Sequence, residues 1–95
     1  DIFTIASLGP SGGTNIDNAL QNVIKNGVNA LVITDAEDNC DTYTDKAFFI
    51  GVQGSRFNNF DHDVIREYSE KGQVIVFNGQ TIQKVNNRGY AEPIN

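Results

Sequence analysis

Three apolar runs, VNALVIT (28–34), KAFFIGVQ (46–53) and QVIVFN (73–78), stay apolar through their centres instead of alternating with polar residues. A strand with one wet face alternates. A strand buried on both faces does not, and that pattern belongs to parallel sheets covered by helices. A fourth run, IFTIASL (2–8), precedes them. Between the first two runs, Ile16, Ala19, Leu20, Val23 and Ile24 fall on one helical stripe. Thr14 is the predicted N-cap, Asp17 stands in a capping-box-like position, and Gly27 is the predicted stop. A second helix is predicted from Asp61 to Lys71, capped by Asp61, with Phe60 stapling onto Ile65. Val64, Ile65 and Tyr68 form its inward face, and Gly72 ends it. Asn78-Gly79 marks a hairpin turn with TIQKV (81–85) returning, and the tail NNRGYAEPIN is expected to be irregular.

The element order predicts an α/β fold: a Rossmann-like three-layer sandwich with a mainly parallel sheet, ending in a β-hairpin. Runs 28–34, 46–53 and 73–78 are expected to be mutually parallel neighbours, with the edge of strand 28–34 left exposed to pair with another chain. At 95 residues, positions 1–95 make one domain or the carboxyl-terminal part of one. The chain contains no methionine, not even at its start, and is expected to be a processed or excised piece.

Charge narrows the partners. The formal net charge is −5, and the seven Lys and Arg residues are scattered along the sequence, so neither nucleic acid nor an anionic membrane is the expected ligand. No apolar run reaches the roughly 18–20 residues that span a bilayer. Cys40 is the sole cysteine, which rules out an internal disulfide and a cysteine-based zinc site. A cytoplasmic setting is the expectation.

Ligands of open α/β sheets bind beyond the carboxyl ends of the strands. Two segments are predicted there: GPSGGTN (9–15) and TDAEDNCDTYTD (34–45). Thr14 at the mouth of the first helix and Asp35 at the exit of the second strand then share one edge. A hydroxyl and a carboxylate there suit a hard cation such as Mg²⁺, which takes oxygen ligands and keeps waters. Equally, Thr14 serves as a helix cap and Asp35 as a solvated loop acid. Glu37 and Asp38 are weaker candidates beside them.

SGGTNIDNAL followed by LVITDAEDN and AFFIGVQG resembles the von Willebrand factor A (VWA) domain and its metal-ion-dependent adhesion site. Within that superfamily, GGTN with TDAEDN is most similar to the VWA-like domain of the Ro/TROVE RNA-binding proteins, over about Ser11 to Val85. The resemblance implies that Thr14 and Asp35 ligate Mg²⁺, with Ser11, Gly12 and Gly13 as the supporting loop. The family's D-x-S-x-S motif occurs nowhere in the chain, so the implied metal site is incomplete.

What the resemblance implies is a protein-binding module, not an enzyme, in which the metal's open position accepts a partner's carboxylate. The expected partner is another protein or the remainder of the parent chain, with self-association as a further expectation. Alternatives are a metal-assisted phosphoryl hydrolase, with Asp35 or Glu37 beside the metal, and an accessory domain whose parent binds RNA through another domain. A calcium loop starting at Asp35 is excluded, because Cys40 stands where glycine is needed and Lys46 where glutamate is needed. His62 is predicted to be a surface residue, and Cys40, among acids, is not a nucleophile. Phe57 and Phe60 are expected to pack, leaving Arg56 outside.

Overall fold

The computed structural model describes residues 3–8 and 15–94. They form β1 (Phe3–Leu8), α1 (Ile16–Asn26), β2 (Asn29–Thr34), β3 (Ala47–Val52), a 3₁₀ turn (Phe57–Asn59), α2 (His62–Glu70), β4 (Val74–Phe77), β5 (Ile82–Val85) and β6 (Ala91–Pro93). One mixed sheet carries the strands in chain order. β1 to β4 are parallel, while β5 and β6 are antiparallel additions. The expected parallel trio is present as β2, β3 and β4.

Paired residues share a face and successive residues alternate. Val32 pairs with Phe49 and Phe49 with Val74, so Ala30, Val32, Ala47, Phe49, Val74 and Val76 share one face, and all six are buried. Both helices pack on it. Tyr68 of α2 lies 4.9 Å from the Phe49 ring, and Leu20 and Val23 of α1 border the same crevice as Ala30 and Val32. The strand order explains this: two right-handed crossovers advancing in one direction place their helices on the same side. The opposite face carries Leu31, Ile33, Phe48, Ile50 and Ile75, all half-buried. Beside them, Val52, Phe77 and Ile82 are 43%, 48% and 52% exposed. The non-alternating runs anticipated cover on both faces; the described residues supply two layers.

Four expectations are corrected. The edge of β2 is not open, because β1 pairs along it from Phe3↔Asn29 to Leu8↔Thr34. The cap of α1 is Asn15, whose Oδ1 accepts from Asn18 N at 2.9 Å, in place of Thr14. The tail is not irregular. Asn86 Oδ1 accepts from the amides of Arg88 and Tyr90, an Asx turn that folds β6 back onto β5. Ile24, assigned to the inward stripe, is 45% exposed.

Other local expectations stand. Gly27 stops α1 at φ 63°, a left-handed position that suits glycine. Asp61 caps α2 by accepting from Asp63 N and Val64 N, and Val64, Ile65 and Tyr68 are buried. Asn78 Oδ1 accepts from Gln80 N and Thr81 N in the β4–β5 turn.

Candidate functional site

Leu8 and Thr34 are register partners, as are Thr34 and Gly51. The chain therefore leaves three adjoining parallel strands side by side at one carboxyl edge. The middle exit is held by a set of hydrogen bonds. Thr34 Oγ1 accepts from Ala36 N at 2.9 Å, Asp35 Oδ1 from Glu37 N at 3.2 Å, and Asp35 O from Arg56 N at 2.9 Å. Asn59 Nδ2 donates to Glu37 O at 3.0 Å. Ala36 is fully buried with φ 56°, the one non-glycine residue with positive φ among the described residues. A left-handed alanine costs roughly 1–2 kcal/mol, so its neighbours hold it there.

Asp35 is thus half-buried on a fixed turn, with one carboxylate oxygen on Glu37 N. Glu37 is exposed and Asp38 half-buried. Among the described residues no three His, Cys, Asp or Glu side chains gather to hold a metal. Ser11, Gly12, Gly13 and Thr14 lie outside the described residues, and with them the approach of Thr14 to Asp35. Sequence reasoning missed one oxygen at this edge. Ser55 Oγ is buried without a hydrogen-bond partner among the described residues, and a Cβ on Gly51 would meet it at 2.5 Å. A buried hydroxyl and a carboxylate are donors of the kind a hard cation takes, yet these two residues alone do not complete a shell.

The acidic segment after Asp35 is more firmly tied than a solvated loop. Asp17 Oδ1 accepts from Asp41 N at 2.9 Å and Thr42 N at 3.0 Å, so this side chain clamps the β2–β3 crossover rather than boxing its own helix. Asp61 N donates to Cys40 O, and Tyr68 OH donates to Thr42 O at 2.8 Å while accepting from Thr44 N. Ala36, Cys40 and Thr44 are buried, while Glu37, Asp41 and Asp45 point to water. Twelve residues without a helix cross the sheet here because side chains from α1 and α2 satisfy their backbone.

Burial pushes the Cys40 thiol up to about 12 from 9.0, and the Asp17 and Asp41 carboxylates add to the rise against a Thr42 backbone hydrogen bond. Cys40 is therefore no nucleophile. Across that window the unfolded chain has released its thiol proton and the folded chain has not, so unfolding becomes easier as pH rises. Burial raises Tyr68 as well, with the same sign. The expected result is a urea midpoint that falls steadily above pH 9, and no alkylation of native Cys40 at pH 8 until denaturant is added. Rapid labelling of the native protein would show that the crossover opens freely.

His62 is exposed in the first turn of α2, and Arg56 is exposed before the 3₁₀ turn, while Phe57 and Phe60 are buried. No described helix is long and apolar enough to cross a membrane. No protein-family model, curated protein or solved structure matches this chain.

Proposed function

We propose that the chain is a VWA-like protein-binding module whose carboxyl edge meets a partner through a divalent cation. The observation that carries this reading is the placement of Asp35. It leaves the middle of three adjoining parallel strands on a turn held by hydrogen bonds and a left-handed alanine. Thr14, with Ser11, Gly12 and Gly13 as support, completes the reading through the sequence resemblance alone, since these residues lie outside the described ones. Asp35 and Thr14 would hold Mg²⁺, and the ion would supply an open position for a partner's carboxylate. A cation facing one protein carboxylate keeps most of its charge for an incoming anion. The apolar second face supports the three-layer, Rossmann-like form of the fold, since parallel sheets are covered by helices on both sides.

Calorimetric titration of the chain with Mg²⁺ tests the reading. Saturable one-site binding is expected, abolished by Asp35→Ala and weakened at least about tenfold by Thr14→Ala. Because Asn15 caps α1, Thr14→Ala should leave stability nearly unchanged, whereas Asn15→Ala should lose about 1 kcal/mol. Equal Mg²⁺ affinity in wild type and Asp35→Ala would remove the metal from the proposal.

A further inference from the structure

The segment Asn86 to Tyr90, polar and without an assigned role, is among the best-organised turns in the molecule. Asn86 N donates to Tyr90 O at 2.8 Å, Gly89 N to Asn86 O at 3.0 Å, and Asn86 Nδ2 to Glu92 Oε2 at 2.8 Å. Gly89 lies flush on the 3₁₀ turn: a Cβ there would sit 2.5 Å from Asn58 N and 2.6 Å from Asn58 Cα. Close backbone contact fixes the residues on either side of it, Arg88 and Tyr90, beside the start of α2. There His62 and Arg66, four residues apart, share a helix face.

The result is a cleft of about 490 Å³ lined by Asn58, His62, Arg66, Asn87, Arg88 and Tyr90. Its size is within the roughly 300–1,000 Å³ of small-molecule sites. Its composition departs from the rest of the chain. In a protein of net charge −5, two of the three arginines and the only histidine converge on one cleft. Arg66 pairs with Asp63 within α2, but the two side chains are 49% and 83% exposed, and such a pair yields readily to a stronger anion. Asp61, just before α2, is outside the cleft lining, and its Oδ1 accepts both capping bonds. Arg88 has no ion-pair partner among the described residues.

We propose that this cleft binds a nucleoside monophosphate. Guanidinium groups match phosphate oxygens in bidentate geometry, which lysine does not. Tyr90, 55% exposed, offers a ring face to a planar base. The Asn58 and Asn87 amides each bring donors and an acceptor for a base edge. Phosphate alone would leave the ring and amides unused, and a nucleoside alone would leave the arginines unused. The site shares no residue with the strand edge around Asp35.

Amide NMR titrations with adenosine monophosphate, inorganic phosphate and adenosine test this on the intact chain. The monophosphate should shift the amides of residues 58, 62, 66 and 87–90 saturably. Inorganic phosphate and adenosine should each bind at least about tenfold more weakly at the same place. Arg88→Ala and Tyr90→Ala, both at exposed positions, should keep a dispersed native spectrum and each lower the affinity at least about tenfold. Phosphate binding as tightly as the monophosphate, shifts no larger than those from sulfate at equal ionic strength, or unchanged affinity in Arg88→Ala would each overturn the proposal.

Discussion

Phe49→Ala is expected to cost about 3–5 kcal/mol, the largest loss from any single truncation in the chain. Phe49 is fully buried at the middle of the sheet. Its ring lies 6.0 Å from Phe57, 5.6 Å from Phe60 and 4.9 Å from Tyr68, all edge-on or nearly so. Removing it empties the junction between β3, the 3₁₀ turn and α2 at once. A domain of this size has only about 5–15 kcal/mol of stability in total, so the variant should be close to unfolding at 25 °C. Its neighbour Phe48 is on the other face, half-buried, with no described helix over it. Phe48→Ala should therefore cost clearly less, about 1–2 kcal/mol. Urea unfolding of the pair separates the two faces; equal losses would mean that the second face is packed as tightly as the first.

Gly89→Ala should be the next most damaging, for a different reason. Its φ of +92° disfavours any side chain, and a Cβ would collide with the backbone of Asn58 and Phe57, which cannot swing aside as a side chain can. Strain and displacement together should cost about 2–4 kcal/mol and detach the 86–90 turn from α2. Gly79 supplies the control. It has φ +96° in the β4–β5 turn but open space around it, so Gly79→Ala should lose only about 1 kcal/mol. The nucleotide cleft should vanish in the first variant and persist in the second. Similar losses for both glycines would show that conformation alone, and not the contact with the 3₁₀ turn, governs position 89.

Much of this fold was visible in the chain because its signals are local. The apolar runs located β2, β3 and β4, Asp61 and Gly27 marked helix ends, and Asn78-Gly79 marked the first hairpin. The errors arose where neighbouring residues compete for one role or where the partner is distant. Thr14 and Asn15 are both good caps, and composition does not choose between them; the structure uses Asn15. Asp17 has the spacing of a capping box but serves Asp41 and Thr42, 24 and 25 residues away. Asn86 and Gly89 carry a turn signal as good as that of Asn78-Gly79, yet no long apolar run follows to announce a strand, and β6 was missed. At the candidate edge, Asp35 was legible from its place after an apolar run. The support from Arg56, Asn59 and the left-handed Ala36 was not, because those bonds join residues up to 22 apart.

The proposed cation binds at the carboxyl edge around Asp35 and not among the other acids. Paramagnetic broadening by Mn²⁺, which takes the same oxygen ligands as Mg²⁺, locates the ion directly. At substoichiometric Mn²⁺ the amide signals of residues 35–37 and of Ser55 should disappear first, and Asp35→Ala should restore them. Broadening that begins instead at Asp41 and Asp45, or spreads evenly over the exposed acids, would contradict the account.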